Sequence, residues 1–135
     1  DWVQIEGLRG LLGHECTYDK ELYIKGDLLT EAVIDKATKI NDHAFSRVVS
    51  LKSVTIGGNV TSIGDYAFCG CSSLTSVTIG KEVTSIGNYA FDRCNSLTTL
   101  NYNGTKAQWN NISIDYQGDL SITSIKCSDG TITIE

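Results

Sequence analysis

Apolar and polar residues alternate in a pattern that recurs along the middle of the chain. From residue 51 the sequence reads LKSVTIGGNVTSIGDYAFCGCSS, and from residue 74 it reads LTSVTIGKEVTSIGNYAFDRCNS. These 23-residue segments are identical at 16 positions and align without a gap. The pattern extends upstream over residues 29–50 with one deletion, and residues 97–102 begin a further copy. Such a period indicates a solenoid, whose coils stack because no coil buries its apolar side alone.

Each coil is predicted to contain two short extended pieces and a turn. Residues 76–79 alternate polar and apolar side chains, which is the period of a strand with one buried face. Gly80 ends this strand, residues 83–86 form a second extended piece, and residues 88–91 turn the chain with a short helical turn. Corresponding strands of neighbouring coils are expected to pair in parallel, about 4.8 Å apart.

The apolar positions that recur with the period are predicted to form the core. Cys71 and Cys94 occupy the position that Val48 holds one coil earlier, which indicates an apolar position filled by buried thiols. Trp109 follows the regular copies and is expected to cover the solenoid interior, as is Trp2 near the other end. The predicted core residues are Phe45, Val54, Ile56, Ile63, Phe68, Cys71, Val77, Ile79, Ile86, Phe91, Cys94 and Trp109.

Composition agrees with a single globular unit and argues against several classes of function. The chain has 135 residues, of which 41% are hydrophobic and 20% charged. No apolar run approaches the roughly 20 residues that a membrane span needs, so no membrane insertion is expected. The net charge of −5 argues against nucleic acid and anionic membrane surfaces as partners. Because the chain contains no Met, we expect a processed product or a piece of a longer protein.

The residue types of catalysis and metal binding form no convincing group in the sequence. The five cysteines at positions 16, 69, 71, 94 and 127 lack the two C-x2–4-C pairs of a zinc site. No nucleophile elbow, zinc-protease, P-loop or dinucleotide motif is present. His43 has no evident nucleophile and orienting group beside it. We therefore expect no catalytic residues, no metal and no cofactor, and an enzyme is kept only as a residual alternative.

The recurring motifs resemble those of the BspA-like leucine-rich repeats. The resemblance rests on LTSVTI at residues 74–79, VTSIG at 60–64 and 83–87, DYAF at 65–68 and CSSL at 71–74. Members of this family usually have Pro directly after the strand, where this chain has Gly57 and Gly80. The resemblance implies a β-rich leucine-rich-repeat solenoid, a right-handed coil of short parallel strands with turns, short helical segments and irregular caps at both ends.

The flanks resemble the irregular segments of the same family. Residues 102–112 are similar to a Y-x-G-T-x-x-x-W-x-x-I segment that interrupts or ends such arrays, and residues 1–5 look like the tail of another. We therefore expect one solenoid fragment over residues 1–135: an N-terminal cap or partial repeat (1–28), regular repeats (29–102) and a C-terminal cap (103–135). Strands are expected at residues 22–24 and 122–125, with a hairpin turn at Asp129–Gly130.

Two surfaces are candidates for ligand binding. The first is the column His43, Tyr66 and Tyr89, because tyrosine combines a rigid ring with a polar tip and is favoured at interfaces. Half-buried packing at the turn is the alternative explanation of this column. The second surface comprises the outward strand positions, for which a solubilising β-face is the alternative. These positions are Ser53, Thr55, Ser76, Thr78, Thr99 and Asn101.

The resemblance implies a function without catalysis. It suggests a protein- or glycan-binding repeat module of a larger cell-surface or secreted protein, with a role in adhesion or host interaction and an extracellular protein or glycan as partner. The alternative is a passive structural spacer with no ligand of its own. End-to-end self-association is also expected if the ends of the array expose strand edges.

Overall fold

The structure, a computed structural model, describes residues 23–24, 26–115 and 121–134. The expectations for Trp2, Cys16 and Leu22 lie outside these residues. The elements in chain order are β1 (Tyr23–Ile24), β2 (Asp27–Leu28), β3 (Glu31–Ile34), β4 (Lys39–Ile40), β5 (Ser53–Ile56), β6 (Ser62–Ile63), β7 (Ser76–Ile79), β8 (Ser85–Ile86), β9 (Thr99–Tyr102), α1 (Lys106–Asn110), β10 (Ser113–Ile114), β11 (Ser124–Cys127) and β12 (Gly130–Thr133).

The longer strands form one sheet, called the main sheet, in the order β3, β5, β7, β9, β11 and β12. The first five strands run parallel, and β12 pairs antiparallel with β11. Ser53 pairs with Ser76 and Val54 with Val77, which is the register of the sequence repeat. The predicted solenoid of stacked parallel strands is thereby confirmed. Strands β1 and β2 form a separate two-stranded antiparallel sheet.

A second, smaller sheet contains the short strands β4, β6, β8 and β10, all parallel. Its strands have two residues each, so the extended piece predicted at 83–86 forms ladder pairs only at Ser85 and Ile86. Ser113 pairs with Ser85, which makes the last coil longer than the regular ones because it contains α1. The two sheets thus continue past residue 102, and the proposed division into caps and regular repeats stays a prediction.

The turns form a third ladder of hydrogen bonds between coils. The N–H groups of His43, Phe45 and Arg47 donate to carbonyl oxygens of the next coil at 2.7–2.9 Å. The N–H groups of Ala44 and Ser46, which lie between them, donate back to the residue three positions earlier, as those of Cys69 and Cys71 do in the next coil. His43 and Arg47 have φ angles of 58° and 60°, which turn alternate N–H groups outward. The predicted helical turn is therefore a tight turn shared between two coils.

The core lies between these ladders and is built from columns of identical residues. The ring centroids of Phe45 and Phe68 lie 5.3 Å apart, and those of Phe68 and Phe91 lie 5.4 Å apart, in nearly parallel planes. Leu51, Leu74 and Leu97, one per coil, are fully enclosed. All residues that the repeat pattern assigned to the core are buried, Trp109 included. A ring from each coil thus completes the packing of its neighbours.

Glycine after a main-sheet strand permits close approach of neighbouring coils. A Cβ atom on Gly80 would lie 2.6 Å from the carbonyl oxygen of Gly57. A Cβ atom on Gly57 would lie 2.9 Å from the carbonyl oxygen of Ile34, to which the Gly57 N–H donates at 2.8 Å. Proline at position 57 would lose this hydrogen bond. Close approach to the preceding coil therefore favours glycine after β5 and β7.

The C-terminal hairpin differs from its prediction by a small shift. Cys127 pairs with Gly130, so the two loop residues are Ser128 and Asp129 rather than Asp129 and Gly130. The strand expected at 122–125 lies two residues later, as β11 at Ser124–Cys127. Ile125 pairs with Leu100 of β9, and both side chains enter the core. Pairing with the preceding coil, and not the local turn motif, determines the register here.

Phe68→Ala is expected to lower the free energy of unfolding by about 3–5 kcal/mol, because it leaves a cavity between two stacked rings. Urea denaturation measures this change. Thr55→Ala on the same coil is the control, since this side chain is exposed and its loss leaves no cavity. An unchanged midpoint for Phe68→Ala would contradict the assignment of the ring column to the core.

Gly80→Ala is expected to destabilise the fold by about 1–3 kcal/mol, because the new methyl group meets backbone atoms of the preceding coil. Gly58→Ala is the matched control, as no atom lies within 4 Å of its Cβ position. The control should be neutral or stabilising by up to about 1 kcal/mol. Equal thermal midpoints of the two variants would show that the coils do not approach closely at Gly80.

Candidate functional site

The outward side chains of β5, β7 and β9 form two columns, together called the outer face. Ser53 pairs with Ser76, and Thr55 pairs with Thr78. Thr78 pairs in turn with Asn101 of β9. Residues between them point into the core, so strand alternation alone directs these polar side chains to solvent. The outer face consists of Ser53, Thr55, Ser76, Thr78, Thr99 and Asn101, and all six are exposed or half-buried.

Hydroxyl groups at the centre of the outer face are free of internal hydrogen bonds. Within residues 26–115 and 121–134, the side chains of Ser53, Thr55, Ser76 and Thr78 make none. Neighbouring residues within one column lie on adjacent strands, about 4.8 Å apart, and the two columns are about 7 Å apart along each strand. Four hydrogen-bonding groups therefore lie on a flat surface with their capacity available to a ligand.

Other threonines of the same coils use their hydroxyl groups to hold the stack together. Thr61 Oγ1 donates to the carbonyl oxygen of Thr38 at 3.1 Å, and Thr84 Oγ1 donates to that of Thr61 at 3.2 Å. Thr75 Oγ1 donates to Lys52 at 3.2 Å. The structure thus separates hydroxyls with a structural partner from those on the outer face, a difference that the threonine-rich sequence does not reveal.

The C-terminal edge of the outer face is partly engaged with neighbouring strands. Thr99 Oγ1 and Ser124 Oγ lie 3.1 Å apart, and the side-chain amide of Asn101 donates to the carbonyl oxygen of Val77 at 3.4 Å. Among the outward positions of the parallel strands of the main sheet, charged side chains are found on Glu31 of β3 at one edge and on Lys126 of β11 at the other. The centre of the face is therefore polar but uncharged, in a chain whose net charge is −5.

The aromatic column of His43, Tyr66 and Tyr89 is a continuous stack. The His43 and Tyr66 rings are 4.9 Å apart with an interplanar angle of 2°, and the Tyr66 and Tyr89 rings are 4.9 Å apart with an angle of 16°. The φ angles of the three residues lie between 56° and 58°. All three are half-buried. Because the ring faces cover one another, the column presents mainly ring edges to solvent.

Carboxylates beside the aromatic column link one coil to the next. Asp42 Oδ1 accepts a hydrogen bond from the Asp65 N–H, and Asp65 Oδ1 accepts one from the Asn88 N–H, both at 2.8 Å. Nδ1 of His43 is buried and has no hydrogen-bond partner among the described residues. The nearby thiol of Cys69 is buried as well. The two carboxylates thus hold the backbone beside the column in register from coil to coil.

The thiols at the repeated cysteine position are buried and hydrogen-bonded. Sγ of Cys71 donates to the carbonyl oxygen of Phe45, and Sγ of Cys94 donates to that of Phe68, each at 3.1 Å. Burial raises the pKa of the Cys71 thiol well above its usual value, and the neighbouring Cys94 adds to the effect. These thiols are neutral members of the core, as the equivalence with Val48 predicted.

Cys127 differs in being half-buried. Burial raises the pKa of its thiol, Asp129 raises it further, and Lys106 opposes the change. No group of three or more His, Cys, Asp or Glu residues in the described parts of the chain is arranged to hold a metal ion. Cys69 and Cys71, separated by one residue, therefore belong to no such group.

Helix α1 anchors the C-terminal hairpin, a feature that the sequence analysis missed. Thr105 caps the helix by accepting from the Gln108 N–H, and Gln108 Oε1 accepts from the Thr105 N–H. The Lys106 N–H donates to Asp129 Oδ1 at 2.8 Å, and Trp109 packs edge-on against Tyr102. The T-x-x-Q sequence at residues 105–108 is a capping-box signal that predicts this helix start.

The model of the BspA type leucine rich repeat region matches residues 20–135 with six copies. A solved structure of a leucine rich cell surface protein from Faecalibacterium prausnitzii A2-165 is similar, with a TM-score of 0.56 and 38% sequence identity. The similarity covers 61% of this chain and 21% of that protein, so the chain spans only a small part of its length. No curated protein matches the chain. Among the described residues, no helix is long and apolar enough to cross a membrane.

The stability of the protein is expected to fall as the pH rises above 9.0, the ordinary pKa of a thiol. The unfolded Cys71 thiol then loses its proton while the buried one keeps it, so ionisation favours unfolding. Cys71→Val should reduce this alkaline loss, since the position accepts Val48 one coil earlier. Urea unfolding on both sides of this pH gives the slope, with Thr55→Val as the control. An unchanged slope in Cys71→Val would refute the expected role of the thiol.

Proposed function

The chain belongs to the BspA-type leucine-rich repeat family, and from that premise we propose that it is a non-catalytic recognition module of a larger cell-surface or secreted protein. The module binds an extracellular protein or glycan through the outer face. The likeness to a bacterial leucine-rich cell surface protein supports the location, and the flat outer face supports the binding role.

The observation that carries this proposal is the set of free hydroxyls on Ser53, Thr55, Ser76 and Thr78. A ligand that meets these groups gains hydrogen bonds without breaking any within the described part of the protein, because the stack holds together through other groups. The sheet beneath them is rigid, so little order is lost on binding. Hydroxyl, amide and carbonyl groups of a neutral ligand all complement such a surface.

Binding by one such face is expected to be weak, and repetition compensates for this. The face contains no Trp, Tyr or Arg, the residues that usually contribute most to tight interfaces. Each additional coil extends the two columns by one residue about every 4.8 Å. Several faces acting together raise the overall affinity through a high effective concentration. A module in a longer surface protein would therefore act as one contact among many.

The edges of the aromatic column offer a second, separate surface for the same function. Tyr66 and Tyr89 project their ring edges from the turns, on a different side of the coil from the main sheet. Tyrosine is favoured at interfaces because it combines apolar area with a hydrogen-bonding tip. The two surfaces are separable by mutation because they share no residue.

A passive spacer is the second candidate function. The observation that favours it is the absence of charge and aromatic anchors at the centre of the outer face. In this case the hydroxyl columns only keep the sheet soluble, and the coils set a distance between other parts of the surface protein.

The double variant Thr55→Val and Thr78→Val tests the recognition module. Valine keeps the β-branched shape and removes two hydroxyls, so binding of densely coated beads to matrix proteins or glycans should fall about tenfold or more. The control variant Tyr66→Phe and Tyr89→Phe leaves the outer face intact. Loss of binding only in this second variant would move the site to the aromatic column.

Circular dichroism and urea unfolding of both double variants establish that the fold is retained. A wild-type module that binds no matrix protein and no glycan at high bead density supports the spacer. Retained binding in both double variants would contradict both proposed surfaces.

A further inference from the structure

The peptide bond between Asn103 and Gly104 lies where β9 ends and the irregular last coil begins. We propose that Asn103 is a site of spontaneous deamidation in the folded protein, through a succinimide formed with the backbone nitrogen of Gly104. This modification concerns the junction between the main sheet and the C-terminal hairpin, and it does not depend on the proposed binding function.

The residue pair itself favours this chemistry. Asn103 is the one asparagine in the sequence that precedes a glycine. In succinimide formation the backbone nitrogen of the following residue attacks the side-chain amide carbon. A Cβ atom on that following residue hinders the approach, and glycine has none. Asn103 therefore has the least hindered nucleophile of any asparagine in the chain.

Neither reacting group is held by a hydrogen bond within the described residues, although Gly104 itself is buried. The Asn103 side chain is exposed, and its amide makes no hydrogen bond to any described residue. The N–H of Gly104 also donates to no atom within the described part of the chain. Attack by this nitrogen therefore breaks no hydrogen bond among the described residues. The Asn103 N–H and the Gly104 carbonyl oxygen on either side of it are both hydrogen-bonded.

Three other asparagines, Asn59, Asn101 and Asn111, have a hydrogen bond that holds the amide or the N–H that follows it. The side-chain amide of Asn59 donates to the carbonyl oxygen of Asp35 at 2.9 Å, and β-branched Val60 follows it. After Asn111, the N–H of Ile112 donates to the carbonyl oxygen of Trp109 at 3.0 Å. Asn101 uses its amide within the main sheet.

Asn95 provides an internal comparison. It is exposed, and neither its amide nor the following N–H of Ser96 has a hydrogen-bond partner among the described residues. Asn95 therefore resembles Asn103 in its hydrogen bonding but is followed by a residue that has a Cβ atom, and that residue is exposed whereas Gly104 is buried. Any difference in rate between these two sites measures the effect of Gly104.

The reaction needs only water as a co-reactant. The Gly104 nitrogen forms a bond to Cγ of Asn103 and loses its proton, while the side-chain nitrogen leaves as ammonia. Water then opens the five-membered ring at one of its two carbonyl carbons. Opening at the side-chain carbon gives aspartate, and opening at the main-chain carbon gives isoaspartate, with one extra CH2 group in the backbone.

Isoaspartate is expected to loosen the junction. The N–H of Asn103 donates to the carbonyl oxygen of Ile79 at 3.0 Å, and the carbonyl oxygen of Gly104 accepts from the Ser128 N–H at 2.9 Å. The extra CH2 group lies between these two hydrogen bonds. Gly104 is closely packed, since an added Cβ would lie 2.7 Å from Gln108 Oε1. At least one of the two hydrogen bonds is therefore lost.

Peptide mapping of the folded chain after incubation in mildly alkaline buffer tests the proposal. Trypsin cleaves after Arg93 and Lys106, so Asn95 and Asn103 fall in one peptide, CNSLTTLNYNGTK. Fragment masses then locate the amide that has become an acid, and isoaspartyl methyltransferase labels the isoaspartate product. Asn103 should convert roughly tenfold faster than Asn95, since only its neighbour lacks a Cβ atom.

Two further measurements separate the reaction from its consequence. Asn103→Gln should remove the labelled product, because glutamine would have to form a larger ring, while Asn95→Gln should leave it unchanged. Hydrogen exchange of the Ser128 N–H should be faster in the isoaspartate form than in the fresh protein. Conversion of Asn103 in urea but not in native buffer, or equal rates at Asn95 and Asn103, would overturn the proposal. Unchanged exchange at Ser128 would overturn the predicted loosening.

Discussion

The structure depends on hydrogen bonding between coils in a register of 23 residues. Three ladders join each regular coil to the next: the main sheet, the smaller sheet and the turns around His43 and Tyr66. A coil by itself would expose its apolar side and leave these backbone groups without partners. Each position must therefore suit its equivalents one coil before and one coil after. This requirement accounts for the stacked phenylalanines, the repeated thiols and the glycines that follow β5 and β7.

The same stacking divides the polar side chains into two groups. Thr84 and Asp65 face a neighbouring coil and use their oxygen atoms to hold it. Thr55 and Thr78 face solvent from the main sheet and keep their hydroxyls free within the described residues. The binding role we propose thus uses groups that the stack does not need. For this reason the Thr-to-Val variants of the outer face are expected to leave the hydrogen bonds between coils intact.

The last coil departs from the 23-residue period, and its hydrogen bonding differs from that of the regular coils. Helix α1 lengthens this coil, and Asp129 accepts a hydrogen bond from the first N–H of the helix. Strand β12 reverses the direction of the main sheet at its edge. Outside the repeat, backbone groups need not find partners in an equivalent neighbour. At the start of this coil, the N–H of Gly104 beside exposed Asn103 has no partner among the described residues.

The sequence by itself determined the period, the parallel stacking and the core, because identical residues at intervals of 23 must occupy equivalent environments. It also predicted the outward direction of Ser53, Thr55, Ser76 and Thr78, since strand alternation needs no tertiary information. Only the tertiary structure decided that the three rings cover one another and that some threonine hydroxyls are free. It also decided that the hairpin loop is Ser128–Asp129. These features depend on which carbonyl oxygen or ring of the neighbouring coil lies within contact distance, and the sequence of one coil does not specify that neighbour.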